Sequence, residues 1–115
     1  MEFLELLKTG RPVLLDGGMG TMLQARGLPV GAVPELTALE HPDWLLDIHG
    51  AYLEAGSQVI YANTFGANRE KLAHCGRTVE EIVPAAVSAA KQAAQKYGAL
   101  VALDVGPTGQ LLEPT

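Results

Sequence analysis

The sequence predicts an α/β protein in which parallel strands are joined by helices, and three observations carry that prediction. Short apolar runs alternate with helical patterns in the order strand, helices, strand, helices, strand, and such connections are almost always right-handed crossovers onto a parallel sheet. Hydrophobic residues make up 48% of the 115 residues, charged ones 18% and aromatics only 5%, which suits helices packed on a sheet through small and branched side chains. Each candidate strand also ends in polar, loop-forming residues: Asp16-Gly17-Gly18, Asn63-Thr64 and Asp104-Val105-Gly106. α/β proteins build their sites at that carboxyl end.

From Glu2 to Lys8, the residues Phe3, Leu4 and Leu7 fall at helical spacing before Gly10 and Pro12, giving a short amphipathic helix. Val13-Leu14-Leu15 reads as a buried parallel strand. Met19 to Arg26 forms a helix with Met22 and Leu23 inward, closed by Gly27. Leu28 to Ala38 contains Pro29, Gly31 and Pro34 and reads as loop. From Pro42 to Ala55 the apolar set Trp44, Leu45, Ile48, Tyr52 and Leu53 keeps one helical face, with Pro42 in the first turn and Gly56 at the C′ position. Gln58 to Ala62 is the second strand, and a short helix follows from Asn68 to Cys75. Thr78-Val79-Glu80-Glu81 fits a capping box ahead of a helix reaching Tyr97. Pro84, beyond the first turn counted from Thr78, either kinks that helix or marks its true start. Leu100-Val101-Ala102-Leu103 is the third strand.

The formal net charge is −5 and no Lys/Arg cluster is present, so the chain lacks the positive field that a nucleic acid requires. No apolar run approaches the ~20 residues that span a bilayer, and Met1-Glu2-Phe3-Leu4-Glu5 lacks the basic head of a secretory signal. A cytoplasmic protein is expected. The single cysteine, Cys75, excludes an internal disulfide, cannot alone build a thiolate metal site, and reads as a small helix-end residue. His41, His49 and His74 stand in no recognised ligand pattern and read as surface or partly packed residues.

Candidate chemistry concentrates at the strand ends. In Asp16-Gly17-Gly18-Met19-Gly20-Thr21, three glycines within four positions let backbone approach a ligand closely and offer N–H groups to a carboxylate or phosphate. The alternative is a tight turn capped by Asp16. The spacing matches neither the dinucleotide fingerprint nor the P-loop. Asn63 and Thr64 place an amide and a hydroxyl where they can orient an amino acid, with Phe65 as an apolar wall, or Asn63 satisfies loop backbone; Asn68 is read as a helix cap. Asp104 either pairs with an ammonium group or bonds loop N–H groups.

Taken in order, Leu15-Asp16-Gly17-Gly18-Met19-Gly20-Thr21-Met22-Leu23, Pro34-Glu35-Leu36, Ala55-Gly56-Ser57, Asn63 through Leu72, and Asp104-Val105-Gly106-Pro107-Thr108-Gly109 resemble the homocysteine S-methyltransferase family. The run Asn63-Thr64-Phe65-Gly66-Ala67-Asn68 with Lys71-Leu72 is most similar to the homocysteine-binding module of cobalamin-dependent methionine synthase. The resemblance implies a (β/α)₈ barrel of which residues 1–115 form the amino-terminal part, about three βα units and a single incomplete domain, since a whole barrel takes roughly 250 residues. It also implies that Asp16, Gly17 and Gly18 belong to the pocket for the amino-acid end of homocysteine, with Asn63, Thr64 and Asp104 on the same rim.

By the same resemblance, zinc in the intact enzyme lowers the thiol pKa so that a thiolate attacks a methyl group. The cysteines that hold it lie in the later half of the barrel, so no metal ligand is expected here. Methylcobalamin and methyltetrahydrofolate would act through modules outside this chain. The chain alone is expected to be inactive and to self-associate through open sheet edges and through helix faces carrying Leu45, Ile48 and Ile82. The alternatives are a non-catalytic, self-associating half-barrel module and a different barrel enzyme that uses the glycine loop for phosphate.

Overall fold

The computed structural model describes residues 2–110. Helix α1 spans Phe3–Lys8, α2 Gly20–Ala25, α3 Thr37–Glu40, α4 Pro42–Glu54, α5 Arg69–Leu72 and α6 Val79–Gln95; strand β1 is Val59–Tyr61 and β2 Leu100–Ala102. A 3₁₀ turn, Pro34–Leu36, leads into α3. The stretch expected to be loop up to Ala38 therefore ends in helical turns, whose Thr37 and Ala38 are buried. Burial of short local turns outweighs the loop signal of Pro29, Gly31 and Pro34.

β1 and β2 pair in parallel with Val59 opposite Leu100, Ile60 opposite Val101 and Tyr61 opposite Ala102. The third expected strand is reduced to one parallel bridge, Leu15 with Val59. There the Leu14 carbonyl accepts from Gln58 N–H at 2.8 Å, and Leu14 N–H donates to the Gln58 side chain at 3.0 Å instead of to a strand. Diversion of that donor, with no strand on the far side among the described residues, keeps the ladder at one rung. Two strands plus a bridge, with β1 in the middle, thus replace the three full strands expected.

Helices α4 and α6 pack against this sheet. Ile60 sits in a cluster with Leu53, Ala62, Ala90, Ala93 and Ala94, against which Val101 packs. A second cluster joins Leu23, Ala38, Leu45, Ile48, Ala86 and Ala89. Alanine at one face of α6 lets its backbone come close to α4 and to the sheet, so that small side chains fill the core without voids. α6 opens with the capping box expected: Thr78 Oγ1 accepts from Glu81 N–H at 3.2 Å, and Glu81 Oε1 accepts from Thr78 N–H at 3.2 Å. The helix begins there and runs through Pro84, which removes one backbone donor without ending it. Gly56 takes φ +115° after α4, the left-handed conformation of a helix C′ residue.

Two further expectations change. Leu45, Ile48 and Ile82 are buried, so they expose no stripe; α4 and α6 cover each other. The exposed apolar side chains instead include Phe3, Leu4 and Leu7 on α1, none of whose residues is buried, together with Leu14, Leu15, Leu103 and Val105. His49, expected at the surface or partly packed, is 0% exposed, because it follows Ile48 on the inner side of α4. Among the described residues no helix is long and apolar enough to cross a membrane.

Candidate functional site

At the carboxyl ends of the strands the loops enclose a cavity of about 410 Å³, and Asp16, Gly17, Gly18, Asn63, Thr64 and Asp104 all line it. A larger hollow of about 510 Å³ lies on the outer helical surface, between Arg26, Asp47 and Glu54 on one side and Gln92 and Lys96 on the other. Its mixed charges are those of a solvated groove.

Asp16 spans from the end of its segment to β1, its Oδ2 accepting from Tyr61 N–H at 3.1 Å. Its Oδ1 is buried and has no hydrogen-bond partner among the described residues. Burial raises the Asp16 pKa above the ordinary carboxylate value, the Tyr61 bond works against that rise, and the negative charge of Asp104 adds to it. A buried carboxylate oxygen with nothing to bond is costly, and a cationic donor would relieve that cost.

The glycine turn is braced from below. Tyr52 of α4 donates its hydroxyl to the Gly18 carbonyl at 2.7 Å, and a Cβ on Gly17 would stand 3.1 Å from that hydroxyl oxygen. Gly17 is thus required for close approach to Tyr52, while nothing lies within 4 Å of where a Gly20 Cβ would be. The turn exposes its backbone to the cavity and rests its other side on an aromatic ring.

Asn63 and Thr64 are buried, and their side chains tie the rim together. Asn63 Nδ2 donates to the Pro34 carbonyl at 2.9 Å. Thr64 Oγ1 donates to the Asp104 carbonyl at 2.7 Å and accepts from Asp104 N–H at 3.1 Å, so one hydroxyl joins the ends of β1 and β2. Asn68 caps α5 as expected, Oδ1 accepting from Lys71 N–H at 2.9 Å. Phe65 lines the cavity.

Two lining residues were not singled out from the sequence. Tyr61 read only as strand, and it supplies the N–H that holds Asp16. Glu35 lay in a stretch read as loop, yet it is 7% exposed. Its pKa is raised by burial, against hydrogen bonding with the Gly66 backbone and the charge of Lys71. Its place in Pro34-Glu35-Leu36 was the one signal available. Three carboxylates, Asp16, Glu35 and Asp104, therefore line a cavity with no lysine or arginine in its wall. Among the described residues no group of three His, Cys, Asp or Glu side chains is placed to hold a metal ion; Cys75 Sγ bonds the Leu72 carbonyl at 3.2 Å, at a helix end.

A parallel sheet with a carboxylate-lined hollow where its strands end defines an α/β protein of the kind that binds small molecules in its strand-end loops. The chain belongs to the homocysteine S-methyltransferase family, whose profile matches residues 13–115. It is 36% identical over 116 residues to betaine–homocysteine S-methyltransferase 1 of Sus scrofa, covering 95% of this chain and 42% of that protein. The Danio rerio enzyme of the same name is 36% identical over 114 residues, with 95% and 28% covered. The crystal structure of the homocysteine methyltransferase MmuM from Escherichia coli, in its metallated form, superposes with a TM-score of 0.80 at 28% identity, covering 92% of this chain and 42% of that one. The chain thus spans less than half the length of these relatives.

Proposed function

We propose that residues 1–115 form the amino-terminal portion, a single incomplete domain, of a (β/α)₈ enzyme that transfers a methyl group to the thiol of homocysteine to give methionine. The observation that carries this reading is Asp16, a carboxylate with an unpartnered Oδ1, in the lining of a cavity free of lysine and arginine. The charges of Asp16 and Asp104 attract an ammonium group, and Asp16 is the receiver, while Gly17 and Gly18 present backbone to the substrate's amino-acid end. Asn63, Thr64 and Asp104 give the rim its shape. The described residues do not fit a zinc site, so a zinc ion that activates the thiol draws its ligands from other residues and no step is assigned to it here.

Each reading of the donor has support. The cavity's negative wall and the names of the betaine-dependent relatives favour a cationic donor. The run Asn63-Thr64-Phe65-Gly66-Ala67-Asn68 favours the methionine synthase type, with methylcobalamin and methyltetrahydrofolate. Supplying the full-length protein with homocysteine and betaine, or homocysteine and the two methyl cofactors, separates these donors. Asp16→Asn tests the site: loss of a charge-assisted bond, about 1.5–3 kcal/mol, raises the KM for homocysteine roughly 10- to 150-fold with fold and zinc content unchanged. Unaltered kinetics would reject the assignment.

Expressed by itself, the chain is inferred to self-associate. Among the described residues β2 pairs only with β1, and Leu15 and Leu103 stand about half exposed, leaving strand edge and apolar surface for a second copy.

A further inference from the structure

Glu35 is a buried carboxylate that the proposed substrate contacts do not use. It lies in the 3₁₀ turn Pro34–Leu36, and two links tie this turn to the loop after β1. One is the Asn63 side chain, which donates to the Pro34 carbonyl at 2.9 Å. The other is Glu35 itself, whose carboxylate packs against Gly66. Its Oε1 stands 2.5 Å from where a Cβ on residue 66 would be. The φ of Gly66 is not positive, so the backbone there would accept an alanine, and the three atoms nearest to that Cβ all belong to Glu35. Beyond Gly66 the same loop is fastened to the segment after β2, with Gly106 N–H donating to the Phe65 carbonyl at 3.1 Å and Asn68 Nδ2 to the Pro107 carbonyl at 3.4 Å. Glu35 therefore sits at one end of a series of contacts that runs across the mouth of the cavity.

We propose that Glu35 is a positioning residue: its carboxylate, seated against Gly66, fixes the path of the Asn63–Asn68 loop and so holds Phe65 and the rim in the shape that receives substrate. This rests on the homocysteine reading for its substrate, but the seating of Glu35 on Gly66 stands on geometry. The filling of that space needs the outline of the side chain, and not its charge. A glutamine supplies it. A residue binding the substrate ammonium directly would need the charge.

The test is a set of variants of the full-length protein, read by homocysteine kinetics and by thermal denaturation. Glu35→Ala raises KM at least about tenfold with kcat within about threefold, the pattern of lost binding geometry. Glu35→Gln keeps KM within about threefold of wild type. Gly66→Ala lowers Tm and raises KM in the wild-type background, but changes neither in the Glu35→Ala background, where the space is empty, and this non-additivity is the signature of direct contact. Three results would each overturn the proposal: Glu35→Gln as impaired as Glu35→Ala, additive effects of Glu35→Ala and Gly66→Ala on Tm, or coupling in Tm without any change in KM. Should the wild-type protein not turn over homocysteine, the substrate reading falls, and the Tm cycle still decides whether Glu35 seats on Gly66.

Discussion

Acidification destabilises this fold through a buried histidine, His49. It is 0% exposed, and neither ring nitrogen has a hydrogen-bond partner among the described residues. Burial lowers its pKa from 6.5 to about 4, since a charged imidazole would lose its hydration with no compensating bond. Above pH 6.5 the ring is neutral in both folded and unfolded chains, and it makes no pH-dependent contribution. As pH falls below 6.5 the unfolded chain takes up a proton that the folded chain refuses, so stability is lost across the window from 6.5 to about 4. With those two pKa values, linkage gives a loss of about 2 kcal/mol at pH 5 and about 3 kcal/mol at pH 4. Asp16 and Glu35 act with the opposite sign. Their folded pKa values are raised, so acidification favours the folded state through them and masks part of the His49 loss. A His49→Leu variant isolates the histidine, because it removes two unpartnered nitrogens and keeps an apolar side chain of similar size. Urea denaturation of both proteins at pH 7, 6, 5 and 4 is the assay. The variant should be at least as stable as wild type at pH 7, and its advantage should grow by about 3 kcal/mol on going to pH 4. An advantage that stays constant with pH would refute the reasoning, since His49 would then titrate alike in both states.

Further outcomes follow from the rim. Thr64→Val removes the hydroxyl that bonds both backbone groups of Asp104 and should cost about 1–3 kcal/mol by urea denaturation, with Thr64→Ser much closer to wild type; equal stability of the two variants would contradict the bridge. Gly17→Ala pushes a Cβ to 3.1 Å from the Tyr52 hydroxyl and should cost about 1–3 kcal/mol as overpacking, a cost that Tyr52→Phe in the same chain relieves in part. The 115-residue polypeptide expressed alone should form dimers or larger species in light scattering at tens of micromolar, retain no stoichiometric zinc after dialysis and leave homocysteine unmethylated. A monodisperse monomer or one tightly held zinc per chain would count against the half-barrel picture.

What lay within a few residues was legible in the sequence. The capping box of Thr78 and Glu81, the C′ glycine at Gly56, the inward face of α4 and the cap at Asn68 each depend on neighbours up to four positions away, and each is in place. The gathering of Asp16, Asn63, Thr64 and Asp104 at one end followed from alternation alone, because a right-handed crossover returns every parallel strand pointing the same way. Tertiary structure decided the rest. Whether Asn63 and Thr64 had free side chains was open until the fold brought Pro34 and Asp104 to them, from 29 and 40 residues away. Glu35 read as loop because nothing beside it in the chain announces burial; Gly66, which buries it, arrives from another turn of the fold. His49 went inside because α3 and α6 cover α4, and Val13-Leu14-Leu15 shortened to one bridge because a strand's length depends on neighbours on both sides. Local chemistry sets which elements form and where they stop, and contacts between distant segments decide which of their polar groups are spent on the fold and which, like Asp16 Oδ1, are left without a partner among the described residues.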